Sequence, residues 1–168
     1  MPAQTILRFP HPLLKKMCRP IERFDREITD LIANLVDTMN EGPGSVGVAS
    51  PQVGVSLRVC VVDVSNSKLG RDLNHGLLVL VNPEILSVEG AATMREGCMS
   101  VPDYTGEVER PTRIRLRYTD GMGACRELET GGFEAVAIQH EMDHLDGILF
   151  LDRISSLKTG LFRRKKYS

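Results

Sequence analysis

Apolar residues recur along the chain with two different periods, and the helical period marks two segments. From Phe24 to Met39 they fall on one face at helical spacing, which predicts a helix packed on a core. NEGPGS (40–45) follows, and its glycines and proline end that helix in a loop. From Gly132 apolar residues recur at helical spacing again, and Gly147 is placed to end this element. We therefore predict one helix in the first third of the chain and another near its end.

Segments between these helices have the composition of strands. RVCVVDV (58–64) and GLLVLVNPEIL (76–86) are rich in β-branched and aliphatic residues, as expected of strands buried in a sheet. RIRLRY (113–118) alternates between arginine and apolar residues, which predicts a half-exposed strand whose arginines face solvent. TDGMG then supplies the residues of a hairpin turn. The chain has no internal repeats, so a mixed, mainly antiparallel α+β domain is the economical architecture.

Length, charge and composition limit the classes of function. The 168 residues suffice for one core, so we expect a single domain over 1–168 with a short basic tail at 162–168. A net charge of -1 provides no overall basic surface, which argues against DNA as a partner. No apolar run approaches the roughly 20 residues of a membrane span, and the first residues lack the pattern of a signal peptide. These observations predict a cytoplasmic protein without a membrane partner, and a monomer is the simplest expectation.

The cysteines differ in their sequence surroundings. All four are widely spaced without a CxxC pair, which favours free thiols over disulfides. Cys60 lies inside an apolar run and is expected to be a small buried hydrophobic residue. Cys98 lies between Gly97 and Met99 with no such run around it, so its presence needs another explanation.

The segment QHEMDHLDG carries the residues with the clearest chemical potential. On a helix of about 100° per residue, His140 and His144 lie one above the other and can aim at one point. Glu141 is rotated off that line, which suits a carboxylate that contacts a metal-bound water rather than the metal. The HExxH pattern also occurs by chance in ordinary helices. Asp143 and Asp146 are either partners of the ligands or surface acids.

A catalytic metal usually takes three protein ligands and leaves a position for water. No histidine follows His144, and Cys98 is the candidate third ligand because a thiolate beside glycine can approach an ion closely. Its charge would make the metal a milder Lewis acid, suited to an electrophile more reactive than an internal peptide bond.

Three motifs in a fixed order resemble those of the peptide deformylase family. EGCMSV (96–101) is similar to the family's EGCLS motif with methionine in place of leucine, and QHEMDHLDG is similar to its metal helix without a change. SVGVASPQ (45–52) resembles the family's GxGxAAxQ motif, and the resemblance extends from ILRFPHPLL to GILFLDRI, nearly the whole chain. Within SVGVASPQ the agreeing positions are Gly47, Ala49 and Gln52, and the departures are Ser45 and Ser50.

The resemblance implies a fold, a reaction and a cofactor. The fold is α+β, with mixed, mainly antiparallel β-sheets around a central metal-binding helix. The reaction is metal-dependent hydrolysis that removes the N-formyl group from the N-terminal formylmethionine of newly synthesised polypeptides and releases formate. The cofactor is one divalent metal ion, Fe²⁺ as the physiological ion, with Zn²⁺, Ni²⁺ or Co²⁺ able to replace it. Its implied ligands are Cys98, His140 and His144.

The resemblance also implies roles around the metal. Glu141 takes a proton from the attacking water and delivers it to the leaving amine. The side-chain amide of Gln52 and the backbone N–H of Met99 stabilise the oxyanion, and Arg110 is expected to pair with Glu96. The implied pocket for the methionine side chain, whose members could equally be ordinary core residues, comprises Val46, Gly47, Met94, Phe133, Val136 and Ala137.

Two further expectations concern the substrate and its source. If the SVGVASPQ segment is extended, its alternate residues from Val46 to Gln52 share a face and the strand can hold a peptide by β-pairing. Its partners would be N-formylmethionyl peptides and nascent chains. The C-terminal FRRKKYS is either a frayed, solvated end or a contact with ribosomal RNA.

Two alternatives stay open. A zinc endopeptidase would use the same helix, cleave internal bonds and give Cys98 no role. A non-enzymatic scaffold would hold peptide ends without hydrolysis, which the departures at Ser45 and Ser50 motivate. The presence of both Glu141 and Gln52 argues for the enzyme.

Overall fold

A computed structural model describes residues 5–164, which form eight strands, four helices and two short 3-10 turns. The 3-10 turns are Pro12–Lys15 and Ser50–Val53. The helices are α1 (Arg26–Glu41), α2 (Gly132–Leu145), α3 (Phe150–Arg153) and α4 (Leu157–Gly160). The strands are β1 (Gly47–Ala49), β2 (Val59–Val62), β3 (Leu78–Glu89), β4 (Ala92–Cys98), β5 (Val101–Arg110), β6 (Arg113–Thr119), β7 (Cys125–Gly131) and β8 (Leu161–Arg163).

The strands form two antiparallel sheets, which confirms the predicted α+β class. One sheet has five strands in the order β1-β2-β3-β6-β7, and the other has three in the order β4-β5-β8. Strand β2 is buried at every position, as its continuous apolar run predicted. In β6 the three arginines are exposed, and Arg113 and Arg115 pair with Glu129 and Glu127 of β7. The predicted solvent-facing arginine row is therefore confirmed.

Helix α1 covers one face of the five-stranded sheet. It begins at Arg26 rather than at Phe24, because the Asp25 carboxylate accepts a hydrogen bond from the backbone N–H of Ile28 and caps the helix. Its buried face packs against β1 and β2. The periodicity thus predicted the helix, whereas the cap determined its first residue.

Helix α2 is enclosed on almost every side. Eleven of its 14 residues are buried, including the whole stretch from His140 to Leu145. It contacts β1, β2, β6 and β7, and Gly147 follows its end with a φ of 73°, as predicted for a helix-terminating glycine. A helix that is buried all round can hold charged residues only where partners surround them. Its position explains why the HExxH residues lie inside the molecule.

The segment 45–52 is not extended throughout, so the predicted shared face is wrong. Strand β1 ends at Ala49, and a 3-10 turn carries the chain through Gln52. Pro51 lies in the first turn, where its fixed φ fits and its missing N–H costs nothing. As a result Val48 is buried in the core against α1, whereas Gln52 lines a cleft.

The C-terminal end of the described chain forms a strand. Residues 161–163 form β8, paired with β5, so the beginning of the predicted tail is ordered; residues 165–168 lie outside the described range.

All four cysteines are free thiols, as predicted, and only Cys125 is exposed. Within residues 5–164, no helix combines the length and apolar character needed to cross a membrane.

Candidate metal centre and catalytic cleft

Three of the predicted residues converge in the interior. Cys98 is the last residue of β4, and His140 and His144 lie one turn apart on α2. One ligand atom from each falls within 4.8 Å of the other two, and all three residues are buried. The Cys98 Sγ lies 3.3 Å from His144 Nε2. One thiolate and two imidazoles are a donor set that zinc and other borderline transition metals accept, with a further position left for water.

The ring of His140 is oriented by an acidic neighbour. Its Nδ1 lies 2.9 Å from Glu96 Oε1 and donates to it, because a carboxylate only accepts. This leaves Nε2 as the ring nitrogen for a metal. Burial opposes ionisation of Glu96, but hydrogen bonds from His140 and Arg110 lower its pKa below the usual value. The carboxylate is therefore charged and holds the ring in one tautomer.

Arg110 fixes Glu96 from the other side. Its guanidinium donates to both oxygens of Glu96 over 2.6 and 2.9 Å, and to Asp143 over 2.9 Å. The predicted Arg110–Glu96 pair is thus present, and it is buried rather than on the surface. Asp143 also accepts two hydrogen bonds from Arg153. Of the two aspartates left open by the sequence, Asp143 belongs to this network, whereas Asp146 pairs with Arg58.

Glu141 has the environment of a proton carrier. It is buried, and its Oε1 has no hydrogen-bond partner among residues 5–164. Burial raises its pKa to about 7, because the charged form loses solvation. Gly47 lies against it, and a Cβ at Gly47 would stand 2.7 Å from Glu141 Oε2. The absence of a side chain on β1 makes room for the carboxylate.

The amide of Gln52 is held in a fixed orientation. Its Oε1 accepts from the backbone N–H of Ala49 over 3.0 Å, which identifies the other terminal atom as nitrogen. The Nε2 donates to Ser100 Oγ over 3.0 Å and lies 3.5 Å from Cys98 Sγ. The donor group of Gln52 therefore sits beside the thiol of the metal cluster.

A cleft of about 390 Å³ opens onto this cluster. The sequence-predicted residues that line it are Val46, Gly47, Gln52, Cys98, Met99, Phe133, Val136, Ala137, His140 and Glu141. His144 lies deeper, with a side chain only 1% exposed.

Met94 does not line the cleft within the described residues, and the prediction for it finds no support there. It is a half-buried residue of β4 paired with Val108, and its neighbour Arg95 lines the cleft instead. Sequence reasoning also missed Leu69 and Arg164, which come from the connection between β2 and β3 and from the residue after β8. Neither carries a local signal, because only the tertiary arrangement brings them to the cleft.

The sequence matches a known protein family over nearly its whole length. The family model for polypeptide deformylase matches residues 3–160. The chain belongs to the polypeptide deformylase family. This family is metal-dependent, and the described residues provide a Cys-His-His cluster able to hold an ion.

Similar deformylases cover nearly the whole chain. A peptide deformylase of Bartonella tribocorum is 40% identical over 166 residues, which is 98% of this chain and 92% of that protein. One from Wolinella succinogenes is 42% identical over 160 residues, covering 95% of this chain and 93% of that protein.

Solved deformylase structures share the fold. That of Thermotoga maritima has a TM-score of 0.82 at 37% identity, covering 93% of this chain and 100% of that chain. That of Ehrlichia chaffeensis in complex with actinonin has a TM-score of 0.87 at 33% identity, covering 94% of this chain and 92% of that chain.

Proposed function

We propose that this chain removes the N-formyl group from the N-terminal formylmethionine of nascent polypeptides by hydrolysis and releases formate, within a single catalytic domain. Family membership supports the reaction. The observation that carries the assignment of residues is the convergence of Cys98, His140 and His144 with Glu141 and Gln52 at one cleft. A zinc endopeptidase would give Cys98 no role, whereas here its thiol belongs to the cluster.

The ligands of the metal are Cys98, His140 and His144. An ion held there would supply Lewis-acid polarisation of the formyl carbonyl and a lowered pKa for the attacking water. We propose Fe²⁺ as the physiological ion, with Zn²⁺, Ni²⁺ or Co²⁺ as replacements, since this donor set accepts several borderline metals. Glu96 holds the His140 ring, and Arg110 keeps that carboxylate ionised.

Glu141 moves the proton. With a pKa raised to about 7 by burial, it can accept a proton at neutral pH and return it to the leaving amine. Its unpartnered Oε1 gives it an acceptor position for water. The Gln52 Nε2 donates to the oxygen of the tetrahedral intermediate. This hydrogen bond takes the place of the long 3.5 Å contact between Nε2 and Cys98 Sγ. The backbone N–H of Met99 is the second proposed donor.

The peptide binds in an extended form. Strands β1 and β4 are both edge strands of their sheets, and both contribute residues to the cleft. An extended substrate can add to such an edge by main-chain hydrogen bonds. Phe133, Val136 and Ala137 provide apolar surface for the methionine side chain.

We also propose partners and a compartment for this chain. The chain acts as a monomer in the cytoplasm on nascent chains, and its basic C-terminal segment contacts the ribosome. The support for this contact is the positive charge of FRRKKYS, because basic segments bind the phosphate backbone of RNA. Co-sedimentation with ribosomes, compared between the full chain and a variant lacking residues 165–168, tests it. Equal sedimentation of both proteins would reject the contact.

The test of the reaction is formate release from a formyl-Met-Ala-Ser peptide by protein purified without oxygen, with metal content measured on the same sample. We expect one ion per chain and rapid formate release. Glu141→Ala should keep the ion and lose about 10²- to 10⁴-fold in rate. A fully metal-loaded protein that released no formate would favour the binding scaffold, and cleavage of internal peptide bonds would favour the endopeptidase.

A further inference from the structure

The connection between β2 and β3, residues 63–77, is an organised surface loop. Ser67 Oγ accepts from the backbone N–H of Gly70 over 3.0 Å, and Asn74 Nδ2 donates to the Gly70 carbonyl over 3.0 Å. Asn74 Oδ1 accepts from the N–H of Gly76 over 3.0 Å. Gly70 is buried with no room for a side chain, since a Cβ there would stand 2.5 Å from Val64. The 63–77 loop therefore has a defined shape.

Glu134, in the first turn of α2, fastens this loop to the helix. The side chain of Glu134 is fully buried, and its oxygens accept from both the backbone N–H and the ring Nδ1 of His75, each over 2.6 Å. Thr130 donates the third hydrogen bond, over 2.8 Å. A buried carboxylate is costly unless such donors surround it. Leu73 of the loop also lies against Gly132, whose hypothetical Cβ would be 3.6 Å from Leu73 Cδ2. The loop is thus attached to α2 beside Phe133.

Leu69 is the residue of this loop that lines the cleft within the described chain. It lines the cleft together with Phe133 and Val136, yet it is 66% exposed. It belongs to none of the three apolar core clusters of the described chain. Core packing therefore does not account for its place, whereas covering a bound apolar group does.

We propose that Leu69 is a specificity-determining residue that closes the outer wall of the pocket for the substrate's first side chain, and that the Glu134–His75 contact is the positioning device that holds it there. This inference rests on the proposed deformylase function and deepens it. The chemical class favoured is a formyl peptide whose first residue has a long, unbranched apolar side chain. Such a side chain offers far more apolar surface to Leu69, Phe133 and Val136 than a methyl group does.

The first test measures kcat/KM for formyl-Met-Ala-Ser and for formyl-Ala-Ala-Ser. Replacing Leu69 by alanine removes apolar contact in the bound state and the transition state alike. We expect Leu69→Ala to lower the Met-to-Ala ratio of kcat/KM by roughly tenfold, with the loss mainly in KM for the formyl-Met peptide. Leu77→Ala is the matched control, because Leu77 is similarly exposed at 45%, lies in the same loop and does not line the cleft. An unchanged ratio in Leu69→Ala would overturn the proposal.

The second test separates positioning from stability. His75→Ala removes the ring donor to Glu134 and leaves only the backbone N–H of residue 75, so it should loosen the loop and lower the same Met-to-Ala ratio. Adding it to Leu69→Ala should lower the ratio no further, because both substitutions act through the contact between Leu69 and the substrate side chain. A purely structural role would lower the melting temperature and leave the ratio unchanged, which would refute the positioning device. Full additivity of the two variants would refute it as well.

The outcomes also distinguish this inference from the proposed function. If the unmutated, metal-loaded protein hydrolyses neither peptide, the deformylase function fails and the inference fails with it. If it hydrolyses formyl-Met-Ala-Ser and the Leu69→Ala ratio equals that of the unmutated protein, only the inference fails.

Discussion

Gly47→Ala is the substitution whose effect follows most directly from the geometry of the site. The backbone of Gly47 lies in β1 and has no positive φ, so alanine meets no backbone strain there. The added Cβ would stand 2.7 Å from Oε2, 2.8 Å from Cγ and 2.9 Å from Cδ of Glu141. The three nearest atoms thus all belong to the proposed proton carrier.

The size of the effect follows from these distances. Carbon atoms in ordinary contact are about 3.5–4.0 Å apart, so the Glu141 carboxylate must move by about 1 Å. A misplacement of about 1 Å at a catalytic group costs roughly 100-fold in rate. None of these three atoms belongs to a metal ligand, and replacing glycine by alanine in an allowed conformation stabilises by about 0.4–1 kcal/mol. We expect kcat to fall about 100-fold while metal content and melting temperature are retained.

The assay is formate release under saturating formyl-Met-Ala-Ser, with metal content and thermal unfolding measured on the same preparation. Gly121→Ala is the matched control, because a Cβ at Gly121 would meet its nearest neighbour, Val79, at an ordinary 3.6 Å. A Gly47→Ala protein whose kcat stayed within about threefold of the unmutated value would show that Glu141 does not need this position. Loss of metal would instead show that the collision spreads to the ligands.

Three other predictions follow from the buried and exposed charges. Arg110→Met leaves the Glu96 carboxylate buried without its guanidinium and should cost about 3–5 kcal/mol in the free energy of unfolding measured in urea; a cost below about 1 kcal/mol would contradict the buried pair. Arg115→Ala breaks an exposed pair with Glu127 and should cost less than about 1 kcal/mol in the same assay; a larger loss would mean that this row of arginines is more than a solvated face. Cys98→Ala should lose the metal, whereas Cys98→Asp should retain part of it, as measured by metal content after dialysis; a full metal content in Cys98→Ala would show that Cys98 is not a ligand.

The residues that sequence reasoning brought together are those related by local geometry. His140 and His144 are one helical turn apart, so the helical period alone aims them at one point. Cys98 lies on a different element, and it was predicted as a ligand from the chemistry of its thiolate and then from the family motif rather than from spacing. Glu96 and Arg110 were paired from the family resemblance.

The residues that it missed depend on long-range packing. The 3-10 turn at Ser50–Val53 ends the strand after Ala49, so the alternation of side chains expected of an extended segment stops there, and Pro51 fits the first turn. Leu69 lines the cleft from a loop that is fastened to α2 by the contact between His75 and Glu134, which are 59 positions apart. A glutamate in the first turn of a helix is normally solvated, so nothing in the sequence indicated that it is buried.

The positions of β1 and β4 at the edges of their two sheets also matter for unwanted strand pairing. An unpaired strand edge is a template on which another chain can assemble, and natural proteins limit this hazard by keeping such edges short or covered. Strand β1 offers three residues, and both edges lie at a cleft rather than on an open face. These two edges therefore lie where a single extended peptide can add to them. At β1 and β4, the backbone that a substrate would use offers little open edge for pairing with a second sheet.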